Sequence, residues 1–186
     1  MIYLNPVLKD KYLTEYYQNN HVEQSSVVMS DQNFYRKLYN EGLDSVEKSI
    51  DIGGLLDIGC SAGFFLEIAS DRGWDVSGIE LNKQEFQLSR EKGYRVHDIE
   101  LDQINFDRKF DLICLWDVFE HIKDGAQYLK KITNLLTDIG VIFIQIPSSD
   151  SIAAKILQDK CNMFDGLEHV NLYGINTISK LVENNG

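Results

Sequence analysis

The chain has 186 residues, 44% of them apolar and 25% charged, which suits an ordinary soluble globular protein with a full-sized core. Its net charge of −11 excludes a broad footprint on nucleic acid and disfavours an anionic membrane surface. No apolar run approaches the roughly 20 residues needed to span a bilayer, and MIYLNPVLKDKYL, interrupted by Pro6 and by Lys9, Asp10 and Lys11, does not read as a signal peptide.

Residues 1–50 are rich in tyrosine and read as an N-terminal cap of two or three helices, in which Phe34, Leu38, Leu43 and Val46 form an apolar stripe. Residues 51–186 change to regular alternation. LLDIG is a short buried strand and AGFFLEIASDRG a helix closing on Gly73. WDVSGIE is a strand, NKQEFQLSREKG a helix closing on Gly93, and YRVH a short strand. KFDLICLWD is a strand, DGAQYLKKITNLLTDIG a helix with Tyr128, Ile132, Leu135 and Leu136 on one face, and GVIFIQIP a strand stopped by Pro147. Strands separated by helices imply right-handed crossovers, hence a doubly wound α/β fold with a mainly parallel sheet and helices on both faces. The strands are near-continuous apolar runs, as expected when both faces are covered. In such folds a ligand binds beyond the carboxyl ends of the strands, where strand order reverses.

Cys60, Cys114 and Cys161 have no paired spacing and read as small buried residues in a reducing compartment, so a cytoplasmic protein is expected. The turn Asp57-Ile58-Gly59-Cys60-Ser61-Ala62-Gly63 joins the first strand to the first helix, and its small residues let a ligand approach the backbone. A dinucleotide fingerprint requires glycine where Gly59, Ser61 and Phe64 stand, and only the first is met. Asp57 suits a ligand bearing a cationic amine better than a pyrophosphate. No G-K-[ST] follows, so this is not a P-loop. Glu80 ends the next strand, about 20 residues on, where an acid can bond both ribose hydroxyls. Asn82 is the better cap for the helix that follows. Asp98 ends the third strand, where it could accept from an adenine amino group with Ile99 against the ring, and Trp116-Asp117 ends the fourth. Asp57, Glu80, Asp98 and Asp117 thus mark four consecutive strand ends.

This ordered set resembles the class I S-adenosylmethionine-dependent methyltransferases, specifically the small-molecule group with an E-H motif after the fourth strand. LLDIGCSAGFFL is similar to their first motif, GIELN to the ribose-binding acid, HDIEL to the adenine segment, FDLICLWDVFEHIKD to the fourth motif, and EHVNLYGINTISKLVENNG to a histidine, an aromatic and a short helix. The resemblance runs from about residue 52 onward, and Ser61 departs from it where many members have glycine. It implies the cofactor S-adenosylmethionine, converted to S-adenosylhomocysteine (SAH), held by Asp57, Gly59, Cys60, Ser61, Gly63, Glu80, Leu81, Asp98, Ile99, Trp116 and Asp117. It implies a small-molecule acceptor methylated on oxygen, nitrogen or carbon. A divalent ion on Asp117, Glu120 and His121, as some O-methyltransferases hold, is disfavoured because histidine is not magnesium's preferred donor, and no metal is expected. The family's sheet usually has two further strands after ISKLVENNG, so a truncated chain is expected, whose open edge favours homodimerisation or aggregation.

Methyl transfer from a sulfonium mainly needs alignment, and a hydroxyl acceptor also needs a base. His169 is expected as that base and His121 as the other catalytic candidate. His97 reads as structural and His21 carries no signal. Tyr12, Tyr16, Tyr17, Phe34 and Tyr35 form either a lid or a packed cap. Two other readings stay open: an NAD-binding oxidoreductase, and a non-catalytic module of the same fold.

Overall fold

The computed structural model describes residues 2–4, 7, 9, 11, 12, 15, 16, 24–161, 163, 164 and 168–185; His21 and Tyr17 lie outside them. The chain divides into two compact units. One comprises Thr14–Leu115 and Leu135–Phe143 and is called the sheet unit; the other comprises Met1–Leu13, Trp116–Asn134 and Ile144–Gly186 and is called the histidine unit.

The sheet unit begins with α1 (Gln24–Ser30) and α2 (Gln32–Val46). Asp31 caps α2 by accepting the Phe34 N–H at 3.2 Å. The buried stripe of α2 is Tyr39, Leu43 and Val46, an i, i+4, i+7 series. Phe34 is 55% exposed and Leu38 only half-buried, so the expected stripe begins one turn later and passes through Tyr39. The Tyr39 ring settles against Phe65 and Phe64, with centroids 5.2 and 6.1 Å away.

The expected β-α-β alternation follows. β2 (Gly54–Ile58) leads to α3 (Phe64–Asp71), β3 (Asp75–Ile79), α4 (Lys83–Glu91), β4 (Arg95–His97), β5 (Phe110–Trp116) and β6 (Leu136–Gln145). The strands lie in the order β4-β3-β2-β5-β6, and β2 pairs in parallel with β3 and β5, as does β3 with β4. β2 is buried throughout and β5 nearly so, which explains the unbroken apolar runs LLDI and LICL. The order reverses between β2 and β5. Their carboxyl ends are Ile58 and Trp116, so the glycine turn opens at the switch point.

β6 corrects one expectation. The helix read through residue 140 stops at Thr133, and the strand starts at Leu136, taking in Thr137, Asp138 and Ile139. The start of β5 recruits this segment: Phe110 N–H donates to Leu135 O at 2.8 Å, and Thr137 Oγ1 donates to Asp111 Oδ1 at 3.0 Å. Partners distant in sequence override the helical spacing of the leucines.

The histidine unit holds β1 (Ile2–Tyr3), paired antiparallel with β7 (Asn171–Leu172) in a register that sets Ile2 opposite Leu172. The N-terminal stretch, read as helical, thus opens with a strand. α5 (Gly125–Thr133), α6 (Ile152–Leu157) and α7 (Ile175–Glu183) complete the unit, with short 3-10 turns at Phe119–His121 and Gln158–Lys160. Asn171 Nδ2 donates to Ile122 O at 2.8 Å and Lys123 O at 3.2 Å, tying β7 to the first of those turns. Among the described residues no helix is long and apolar enough to cross a membrane.

Candidate functional site

The glycine turn is built by left-handed backbone. Gly59, Ser61 and Gly63 have φ of 79°, 49° and 79°. The N–H groups of Gly59 and Cys60 both donate to Ile79 O, at 2.8 and 3.0 Å, which stitches the turn to the end of β3. Gly63 stands at the N-cap of α3, with no side chain to satisfy the first amides of the helix. A Cβ there would meet the Tyr94 ring at 3.0 and 3.2 Å, so glycine is demanded by neighbouring protein as well as by φ.

Ser61 stands where many members of the resembling family have glycine, and its strain has a visible offset. Its N–H donates to Glu80 Oε2 at 2.8 Å, and its hydroxyl donates to Glu85 Oε2 at 2.9 Å. Glu85 lies on α4 and is only 2% exposed, a role the sequence reading missed. Its one sequence signal is an acid four residues before Ser89 on the inner face of α4, where both are buried.

Asp57, in β2, is buried, and its Oδ1 has no hydrogen-bond partner among the described residues. Burial, and then the charge of Glu80, push its carboxyl well above the usual carboxylate range. Burial, and then Asp57, likewise hold the Cys60 thiol well above its ordinary value, and its sulfur fills the space beside Gly78 where a Cβ would stand.

Glu80 is half-buried past the end of β3. Besides the Ser61 N–H, it accepts the Asn82 N–H on Oε1 at 2.7 Å. Asn82 caps α4 as expected, its Oδ1 accepting from Gln84 and Glu85 N–H at 3.0 and 3.1 Å. Leu81 is half-buried; Asp98 and Ile99 stand exposed just past β4. The turn, Glu80, Leu81, Asp98 and Ile99 thus cluster at the carboxyl ends of β2, β3 and β4. Phe64, which counts against a dinucleotide, turns its ring toward α2, under the Arg36 guanidinium at 5.1 Å.

The remaining expected residues belong to the histidine unit. Trp116 closes β5, and Asp117 follows it with φ of 51°, its N–H donating to Gln145 O at 3.0 Å. Glu120, fully buried, and His121 share the 3-10 turn. His169 stands close to both: its Nε2 and that of His121 lie 3.9 and 4.0 Å from Glu120 Oε1, and the two rings are 5.0 Å apart. His121 Nδ1 contacts Glu168 O at 3.0 Å and His169 Nδ1 contacts Met163 O at 2.8 Å. The expected pair of histidines is therefore brought together, with Glu120 between them.

A family profile described as a methyltransferase domain matches residues 32–186, five-sixths of the chain. The chain belongs to the methyltransferase-domain family. Curated relatives include the ubiquinone biosynthesis O-methyltransferase of Aeromonas salmonicida, 30% identical over 98 residues, covering 48% of this chain and 41% of that protein. The malonyl-[acyl-carrier protein] O-methyltransferase of Calditerrivibrio nitroreducens is 27% identical over 109 residues, covering 58% and 44%. The chain thus spans less than half the length of the curated relatives it matches. Among solved structures, the plantazolicin methyltransferase BpumL in complex with SAH has a TM-score of 0.73 at 16% identity, covering 92% of this chain and 72% of that one. This places the five-stranded sheet among methyltransferase folds.

Proposed function

We propose that this methyltransferase-domain chain binds S-adenosylmethionine and transfers its methyl group to a small-molecule acceptor, oxygen first. The observation that carries this reading is Glu80: its carboxylate holds the Ser61 N–H of the glycine turn while lying at the strand end suited to a ribose. Asp57, Gly59, Cys60, Ser61 and Gly63 would receive the methionine portion, where a cationic amine offsets the cost of a buried acid. Leu81, Asp98 and Ile99 would border the adenine, with Trp116 and Asp117 as the further contacts that the resemblance implies. The names of the two O-methyltransferase relatives support oxygen.

In the transfer, a lone pair of the acceptor oxygen forms the new C–O bond as the C–S bond breaks, and the S–C electron pair stays on sulfur to give the neutral thioether SAH. The acceptor's proton must leave. The resemblance gives that task to His169, with His121 beside it. Calorimetric titration with SAH and with NAD tests the reading: micromolar SAH binding without NAD binding supports it, and the reverse preference reinstates the oxidoreductase. Incorporation of labelled methyl into an acceptor then separates the enzyme from a binding module.

A further inference from the structure

Four of the hydrogen bonds around the glycine turn close into a ring. Glu80 Oε2 accepts the Ser61 N–H at 2.8 Å, and the Ser61 hydroxyl donates to Glu85 Oε2 at 2.9 Å. The Glu85 N–H donates to Asn82 Oδ1 at 3.1 Å, and the Asn82 N–H returns to Glu80 Oε1 at 2.7 Å. The ring joins the turn after β2, the end of β3 and the first turn of α4, all within the sheet unit. Each oxygen of Glu80 receives one amide, so the two bonds together set the plane of its carboxylate.

Glu85 is the third residue of α4, where a glutamate commonly folds back onto the N–H of the helix cap. Here the N–H of the cap, Asn82, goes to Glu80, and the Glu85 carboxylate reaches across to the turn. A carboxylate only 2% exposed is costly to bury, and the start of α4 together with the Ser61 hydroxyl offsets part of that cost. What the fold gains is the conformation of Ser61. Its φ of 49° is unfavourable for a residue with a Cβ, whereas glycine takes such an angle without help. Held from Glu85, the serine keeps that angle and its N–H stays aimed at Glu80.

We propose that Glu85 is a positioning residue for the cofactor: through Ser61 it fixes the carboxylate of Glu80 in the orientation that meets the ribose. The inference rests on the reading of Glu80 as the ribose acid. Glu85 acts through Ser61 and needs no ligand contact of its own. Without its carboxylate, Ser61 relaxes toward negative φ and turns its N–H away from Glu80 Oε2. SAH is then held more weakly although no group that touches it has been removed. Glycine at position 61 would make the device unnecessary, because the turn would keep its shape without the hydroxyl. Ser61 and Glu85 therefore act as a unit, and their effects on SAH affinity are non-additive.

The full chain is titrated with SAH by calorimetry as the parent, as Glu85→Met, as Ser61→Gly, as both together and as Ser61→Ala. Exchange of the Ser61 amide is followed by NMR without ligand. Glu85→Met, which keeps the length but not the carboxylate, should speed that exchange and weaken SAH about fivefold or more. In the Ser61→Gly chain the same change should move affinity by less than about twofold. Ser61→Ala loses the hydroxyl but keeps a Cβ at positive φ, so it should bind SAH about fivefold more weakly than Ser61→Gly does. That comparison leaves the buried acid in place and decides the matter even where Glu85→Met does not fold. Equal weakening by Glu85→Met in both backgrounds would mean that Glu85 only fills the core, and equal weakening by Ser61→Ala and Ser61→Gly that the hydroxyl itself meets the cofactor. Either result overturns the positioning role while SAH binding by the parent keeps the cofactor reading; a parent that binds no SAH overturns both.

Discussion

Replacing Glu80 with alanine should damage the protein twice, once before any ligand arrives. In the ligand-free fold its carboxylate accepts the Ser61 N–H at 2.8 Å and the Asn82 N–H at 2.7 Å. Hydrogen bonds to a charged acceptor contribute about 1.5–3 kcal/mol each, and because Glu80 is only half-buried the lower end applies to both. The loss is then about 3 kcal/mol. At 2–4 °C per kcal/mol for a chain of this size, the ligand-free melting temperature should fall by about 6–12 °C. The second cost is the ribose. Loss of its hydroxyl contacts, with the loosened turn, should weaken SAH at least about tenfold, or 1.4 kcal/mol. Differential scanning calorimetry reads the first effect and isothermal titration the second. An unchanged melting temperature would mean that the two amides find equivalent partners in water. Unchanged SAH affinity would refute the ribose assignment itself.

A double-mutant cycle of Ser61→Ala and Glu85→Gln, read by urea unfolding, should show about 1–2 kcal/mol of coupling, and additive effects would show that the 2.9 Å bond does not hold the turn. Asp57→Asn should stabilise the ligand-free chain while weakening SAH. The sign follows from the raised carboxyl: its burial cost is absent below the ordinary value of 3.8, where folded and unfolded chains are both protonated, and grows as pH rises toward the higher folded value. The advantage of the asparagine variant should therefore be present at neutral pH and vanish near pH 3; a gap independent of pH contradicts it. Gly63→Ala should cost about 1–3 kcal/mol in urea unfolding even without ligand, because φ is +79° and the added carbon meets the Tyr94 ring; full stability would locate the strain elsewhere.

The parallel sheet was legible because its information is local. LLDI, LICL and the closing Gly73 and Gly93 carry strand and helix ends within a few residues, and Asn82 announces its helix through its own side chain. What escaped depends on partners far along the chain. Leu136–Ile139 have helical spacing until Phe110 and Asp111 draw them into a strand. Ile2–Tyr3 need Asn171 and Leu172 to become a strand at all. At the candidate site the acids at the strand ends were visible as a series, whereas the Ser61–Glu85 bond and the meeting of His121 with His169 join positions whose proximity no spacing encodes.

The guanidinium of Arg72, just past α3, reaches Glu47, Asp44 and Asn40 at the carboxyl-terminal end of α2, and Trp74 Nε1 adds a bond of 3.0 Å to Glu47. These contacts stand beside the start of β3, at the opposite end of the sheet from the glycine turn. Further back along α2, Tyr39 meets the rings of Phe64 and Phe65, and Arg36 lies over Phe64 with a nitrogen 3.6 Å from Glu67 Oε1. The two stretches of α2 thus answer to different solvents: salt screens the charged grip at Arg72, while the ring contacts of Tyr39 stay in place.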